Sequence, residues 1–192
     1  MKARKKLFEV AKQVTGYDLQ ENALLVLKSG RYEFQNKGVD VVLESMRKLQ
    51  SENLGRQVVL FVAMPAGHGA PIPSERRGEN ELQVSHLTHW LIHPEADPIL
   101  KSLHRLGLNN NGGEPVTVIF APVYLNGRDG VFDMTYFELL PGFDFAIFPS
   151  YYEPWGYTPM ESIAAGVPAL TTILAGFGKW ICQNERDHAE RG

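Results

Sequence analysis

The sequence predicts an α/β fold, a doubly wound parallel sheet of the Rossmann type, in one domain that spans residues 1–192. Short apolar runs alternate along the chain with segments of helical periodicity, which is the pattern of successive β/α units. The runs contain almost no polar residue, as expected for strands that helices cover on both faces. The chain is also long enough for one sizeable core, because 44% of its 192 residues are hydrophobic and only 21% are charged.

The predicted elements alternate between strand and helix after a leading helix. In that first segment Leu7, Val10 and Val14 recur at the spacing of a helix face. Loops are predicted where Gly, Pro and Asn cluster. In order, the predictions are a leading helix (1–20), a strand (23–27), a helix (38–49), a strand (58–63), a loop (66–81), a helical stretch (82–106), a loop (109–115), a strand (116–121), a short helix (135–140), a strand (145–148), a helix (159–165) and a short strand (169–172).

Composition excludes several classes of partner. A net charge of −3 and a pI of about 6.1 give no broad basic surface, so we expect no nucleic acid and no anionic membrane as partner. No apolar run approaches the ~20 residues that a membrane helix needs, and the first residues are too polar for a secretory signal. Cys182 is the single cysteine and cannot form an internal disulfide. A reducing cytoplasm fits these features best.

Ligands of a doubly wound sheet bind outside the carboxyl ends of the strands, so the residues after each apolar run are the candidates for chemistry. The first candidate segment, 30–38, carries Arg31 and Lys37 between a strand and a helix. A guanidinium fork and an ammonium group on one loop could hold a diphosphate. The alternative is that both are solvated loop charges.

The second candidate segment, 148–161, also joins a strand to a helix. Thr158 before Pro159, with Glu161 three residues after Thr158, predicts an N-cap, a proline at the first helical position and a capping box. Such a helix start directs free N–H groups at a ligand, although it can also be purely structural. Glu153, close to Trp155 and Gly156, has no role in a cap. An acid, an indole and a small residue together suggest a sugar pocket.

Two further sets of residues give weaker signals. The glycines of segment 174–178 permit close backbone approach, but a plain turn is equally consistent with them. His86, His89 and His93 would share one face of the helical stretch 82–106, yet we expect no metal, because surface histidines are commoner than ligands. The chain has no GxGxxG and no GxxxxGK[ST] motif, which argues against hydride transfer and ordinary ATP hydrolysis.

Two long segments, GRYEFQNKG (30–38) and FPSYYEPWGYTPMESIAAGVPALTTILAGFG (148–178), resemble the glycogen synthases of animals, fungi and related bacteria. The resemblance covers roughly residues 20–182 and implies the C-terminal, nucleotide-sugar-binding half of a GT-B enzyme, in which two Rossmann-like domains face a cleft. By this resemblance the N-terminal acceptor-side domain is missing here, and the chain by itself is expected to bind nucleotide without making glucan.

The resemblance also implies roles for individual residues. Arg31 and Lys37 resemble the pair that holds the donor diphosphate and stabilises charge on the leaving UDP. Glu153 and Glu161 match the two acids of an E-x7-E pattern, the first near the transferred glucose and the second at the ribose. The catalytic residues implied are therefore Glu153, Arg31 and Lys37. Tyr136 resembles the aromatic residue that stacks on uracil, and Tyr124 is a weaker candidate for that role; for both tyrosines core packing is the alternative. The donor-binding residues implied are therefore Arg31, Lys37, Tyr136, Tyr124, Trp155, Gly156, Tyr157, Thr158 and Glu161.

The reaction implied is retaining transfer of glucose from UDP-glucose to the 4-hydroxyl of an α-1,4-glucan, without cofactor or metal. The full-length enzyme could be a homo-oligomer. Two alternatives stay open from the sequence. One is a starch synthase-like or sucrose synthase-like transferase with a different donor or acceptor. The other is a noncatalytic module that binds nucleotide sugar or glucan, although retention of both cations and both acids speaks against it.

Overall fold

The computed structural model of the protein describes residues 2–76 and 82–184. Its main sheet has five parallel strands in the order β5-β2-β1-β6-β7, and β3 and β4 form a separate antiparallel pair. The strands are β1 (Leu24–Ser29), β2 (Val58–Ala63), β3 (His68–Pro71), β4 (His89–Leu91), β5 (Val116–Ala121), β6 (Phe145–Phe148) and β7 (Ala169–Thr171). The helices are α1 (Lys2–Thr15), α2 (Val39–Leu49), α3 (Leu82–His86), α4 (Pro98–Leu106), α5 (Tyr136–Leu139), α6 (Tyr157–Ala164) and α7 (Gly176–Asn184), with 3-10 turns at Ser74–Arg76 and Leu140–Gly142.

The sheet is covered by helices on both faces, which confirms the predicted doubly wound α/β fold. Successive residues of a strand point to opposite faces, and β1 contributes Leu25 and Leu27 to one core and Val26 to the other. The first core packs against α1 and α5, and the second packs against α2 and α4. Because both faces are buried, the central strands need apolar residues at every position, and this explains their unbroken apolar runs.

Local sequence signals fix where three helices begin. Asp97 caps α4 by accepting a hydrogen bond from Leu100 N–H, with Pro98 in the first turn. Thr135 and Glu138 form a reciprocal capping box at α5. Helix α2 begins after Gly38, whose φ of 64° is left-handed and is therefore easiest for glycine.

The predicted helical stretch 82–106 is wrong. It divides into α3, strand β4 and α4, and β4 pairs antiparallel with β3, which lies inside the predicted loop 66–81. Pairing with a distant strand overrides the local helical periodicity, and the Asp97–Pro98 cap starts a new helix. No helix within the described residues is long and apolar enough to cross a bilayer.

The order of the strands determines where a ligand can bind. β1 lies at the centre, with β2 on one side and β6 on the other. The chain leaves β1 toward β2 and β5, and returns on the opposite side through β6 and β7. In such a sheet the loops after the two central strands diverge and leave a crevice at the carboxyl edge. The segments after β1 and β6 are therefore expected to border the site.

Candidate functional site

The loops after β1 and β6 are in direct contact at this crevice. Tyr151 N–H donates a 2.9 Å hydrogen bond to the carbonyl oxygen of Asn36, which joins the two loops through their backbones. Gly38 lies against the other loop so closely that a Cβ added to it would be 2.0 Å from the Pro149 carbonyl oxygen. The absence of a side chain at residue 38 therefore allows the loop that carries Lys37 to approach the loop that carries Glu153.

A polar cavity of about 190 Å³ opens between these loops and the start of α6. It brings together most of the residues predicted from the two sequence segments, although more than a hundred residues separate the segments in the chain. The predicted residues that line it are Arg31, Lys37, Glu153, Gly156, Tyr157, Thr158 and Glu161.

Lys37 and Glu153 form an ion pair inside the polar cavity. The Lys37 side chain is 9% exposed and that of Glu153 is 18% exposed, whereas the Arg31 side chain is 73% exposed at the mouth. Burial, and then the nearby charge of Arg31, lower the pKa of Lys37, while Glu33 opposes this shift. Two cations thus face one opening, with the inner one held by a carboxylate.

The start of α6 borders the same cavity but differs from the predicted cap. The helix begins at Tyr157 after Gly156, whose φ of 94° and ψ of 84° are left-handed, and no side chain caps it. The predicted N-cap at Thr158, proline at the first helical position and capping box with Glu161 are therefore wrong: Thr158 lies in the first turn, where backbone N–H groups have no partner within the helix. The Glu161 carboxylate is left for the cavity rather than for the cap.

A second, apolar cavity of about 320 Å³ adjoins the first. The two share Ser29, Gly30, Thr158 and Glu161 as lining residues. Tyr124 and Tyr136 supply aromatic rings to the apolar cavity. Tyr124 is 74% exposed, whereas the half-buried Tyr136 receives a 3.4 Å hydrogen bond from Ser29 Oγ. Burial, and to a smaller extent Glu161, raise the pKa of Tyr136, with the Ser29 hydrogen bond opposing them.

Trp155 is the predicted site residue that lines neither of these two cavities. Its ring packs against Phe177 and Trp180 of α7, and its indole N–H donates to Met160 Sδ at 2.9 Å. Its contact with a donor stays a prediction from the family resemblance. The glycines of segment 174–178 do permit close backbone approach: a Cβ on Gly176 would lie 2.2 Å from the Pro154 carbonyl oxygen.

The three histidines considered as metal ligands lie on separate elements. His86 and His89 donate through Nε2 to the carbonyl oxygens of Leu108 and Asp129, each at 2.8 Å, while the exposed His93 lies on the loop before α4. The prediction that they share one helix face is wrong, because the stretch is not one helix. In residues 2–76 and 82–184 no group of three acidic, His or Cys side chains is placed to hold a metal ion.

Sequence reasoning missed Lys28, which lines the polar cavity and is fully buried. The predicted strand 23–27 stops before it, because a lysine ends an apolar run. The strand in fact continues through Ser29. A buried lysine at the carboxyl end of a central strand is therefore a feature that apolar periodicity cannot distinguish from a solvated strand end.

Sequence comparisons relate the chain to known glycogen synthases. The sequence profile described as glycogen synthase matches residues 77–192. The chain is 30% identical to liver glycogen [starch] synthase of Mus musculus over a gapped alignment 233 residues long, which covers 92% of this chain and 33% of the relative. It is 28% identical over 237 residues to glycogen [starch] synthase of Neurospora crassa, with 90% and 34% covered. The crystal structure of WaaG, a glycosyltransferase involved in lipopolysaccharide biosynthesis, aligns with a TM-score of 0.47 at 23% identity, over 92% of this chain and 35% of that one. The chain thus spans about a third of the length of these relatives.

Proposed function

The chain belongs to the glycogen synthase family, and we propose that it supplies the donor-binding side of an enzyme that transfers glucose from UDP-glucose to the 4-hydroxyl at the non-reducing end of an α-1,4-glucan, with retention of configuration. The observation that carries this proposal is the convergence of Arg31, Lys37, Glu153 and Glu161 on one cavity at the start of α6. We propose likewise that a further domain of the same polypeptide supplies the acceptor side.

The polar cavity has the chemistry that a diphosphate requires. Arg31 presents a planar fork at the mouth, and Lys37 presents a compact charge deeper inside. The first-turn N–H groups of α6, which have no partner within the helix, add hydrogen-bond donors and the positive end of the helix dipole. We assign these groups to the two phosphates of the donor. The adjoining apolar cavity, with the rings of Tyr124 and Tyr136, is assigned to the nucleoside, and Glu161, which borders both cavities, to the ribose.

This arrangement stabilises the charges that a retaining transfer develops. As the bond between glucose C1 and the phosphate oxygen breaks, the electron pair leaves with UDP, next to Arg31 and Lys37. The sugar gains oxocarbenium character, which the Glu153 carboxylate can stabilise while it also orients sugar hydroxyls. The glucan hydroxyl attacks from the face that UDP leaves, and its proton goes to the departing phosphate oxygen. Lys37 must exchange its partner Glu153 for a phosphate during this sequence.

The test is calorimetric titration of the purified chain with UDP, UDP-glucose and ADP, repeated on Arg31→Ala and Lys37→Ala. Each variant should lose about 1–3 kcal/mol of affinity for UDP, the range of a charge-assisted contact. Lys101→Ala is the matched control, because Lys101 is an exposed lysine on α4 that lines neither cavity. Preference for ADP would replace the donor but keep the site. If all three variants bound UDP with the affinity of wild type, the diphosphate assignment would be wrong.

A further inference from the structure

Lys28 has surroundings that are unusual for a lysine. Its residue exposure is 0%, and it lies on β1, one position before the strand ends in the crevice. Its Nζ atom lies 5.7 Å from the centroid of the Phe148 ring. Within the described residues no carboxylate pairs with it. A fully buried lysine without an anionic partner is rare, because desolvation of the ammonium group is costly.

The charges around the polar cavity are balanced without Lys28. Two basic side chains, Arg31 and Lys37, face two acidic ones, Glu153 and Glu161. A nucleotide sugar would bring two further negative charges on its diphosphate, and these would have no net countercharge. Burial, and then the charge of Lys37, lower the pKa of Lys28 from 10.5 to about 7. Near neutral pH the amine therefore exchanges its proton readily when the nearby charge changes.

We propose that Lys28 is a third cation of the diphosphate site, which takes up a proton when a nucleotide sugar binds. This inference rests on the proposed function, since it concerns the donor of the same site. The buried amine lines the cavity together with Lys37, so an anion that fills the cavity brings two negative charges into its low-dielectric surroundings. Those charges favour the ammonium form and reverse the effect of burial. Proton uptake would thus be part of donor binding.

The test must distinguish the effect of Lys28 from the effects of the other titratable groups that line the same cavity. They are Arg31 and Lys37 on the loop after β1, Glu153 on the loop after β6, and Tyr157 and Glu161 on α6. Tyr136 of α5 contacts the site through Ser29. A purely structural Lys28, whose methylenes merely fill space, would leave donor affinity independent of the amine. A methionine of similar length would then serve equally well.

The experiment measures UDP-glucose and ADP-glucose binding to the whole 192-residue chain by calorimetry at pH 6, 7 and 8. Both probes carry a diphosphate diester that does not titrate in this range. If only the protonated amine accepts the diphosphate, affinity falls about tenfold from pH 6 to pH 8 by linkage with a group that titrates near 7. Repeating the pH 7 titration in buffers of different ionisation enthalpy should show uptake of about half a proton per donor bound. This last measurement needs no variant.

Lys28→Met should bind more weakly than wild type at pH 6, with no dependence on pH and no proton uptake. Lys37→Met is the matched control: it should also bind weakly, but it should keep proton uptake, because Lys28 is intact. The uptake should shift to higher pH, because the charge of Lys37 no longer lowers the pKa of Lys28. Wild-type binding without uptake, together with unchanged binding by Lys28→Met, would overturn the Lys28 assignment and leave the donor site standing. If only ADP-glucose bound, the donor would be assigned as ADP-glucose, and its pH dependence and proton uptake would test Lys28 in the same way. Failure of both nucleotide sugars to bind at any pH would overturn the proposed function and this inference together.

Discussion

Replacement of Lys28 by methionine should stabilise the fold at neutral pH and remove a pH dependence of its stability. The side chain is fully buried, and its amine has no acidic partner among the described residues. Methionine has a similar length and a flexible apolar chain, so it should fill the same space with little strain. The variant then differs from wild type mainly in the energy of the amine.

The magnitude follows from the pKa of Lys28, which burial and the charge of Lys37 lower from 10.5 to about 7. Between these two values the unfolded chain binds a proton that the folded chain does not bind. The free energy of unfolding of wild type therefore rises with pH through this window, and the penalty is greatest below pH 7. Between pH 7 and pH 9 the free energy of unfolding of wild type should rise by about 2 kcal/mol relative to that of Lys28→Met. The slope should approach about 1.4 kcal/mol per pH unit once the folded-state amine has lost its proton.

The assay is urea unfolding of wild type and Lys28→Met at pH 6, 7, 8 and 9, with the difference in unfolding free energy plotted against pH. Taking the difference cancels the contributions of groups common to both proteins, such as Tyr17, Tyr32 and Tyr136, whose pKa values are raised. The difference should be constant from pH 6 to about 7 and then shrink. Two parallel curves from pH 6 to pH 9 would show that the amine titrates normally, and the argument from burial would be refuted.

Two further predictions concern the loops and the apolar cavity. Gly38→Ala should lose about 1–3 kcal/mol more stability in urea unfolding than Gly107→Ala. Both glycines have a φ of 64°, so the backbone strain is the same, but only at residue 38 would the new Cβ meet the Pro149 carbonyl oxygen. The overpacking there is the added cost. Equal losses would mean that the loops separate at little cost. Tyr124→Ala should weaken UDP binding by about 1–3 kcal/mol, the range of one aromatic ring stacked on a base, and leave inorganic pyrophosphate binding unchanged in the same calorimeter. Loss of both affinities would contradict the assignment of the apolar cavity to the nucleoside.

The sequence predicts the sheet well because its strands are buried on both faces. Runs such as residues 58–63 and 116–121 need no periodicity to be recognised, and both match the observed strands in full. The predicted helical stretch 82–106 is wrong because residues 89–91 pair with a strand that local spacing cannot reveal. The Asp97–Pro98 pair within that stretch is an available signal of a new helix start.

The candidate site is predictable only in part, for a different physical reason. Arg31 and Lys37 lie on a loop after a strand, and Glu153 follows another strand, so their positions in the chain make them candidates for chemistry. The ligand role of Glu161 is implied only by the family resemblance, because its position suggests a helix cap. Lys28 carries the same kind of charge, but in a strand its direction and burial depend on neighbours that are distant in sequence. The predicted start of α6 is misplaced because a left-handed Gly156 replaces the side-chain cap.

Contacts between the loops themselves determine the geometry of the polar cavity. The Tyr151 N–H bond to the Asn36 carbonyl and the close approach of Gly38 to Pro149 join the two loops through backbone atoms. These contacts lie directly beside Lys37 and close to Glu153, so the ion pair forms between supports that are already fixed. The proposed exchange of Lys37 from Glu153 to a phosphate would then require only side-chain movement. A donor that binds this cavity should therefore meet a site whose backbone is already in place. Binding should change the charge of the site and leave the backbone where it is.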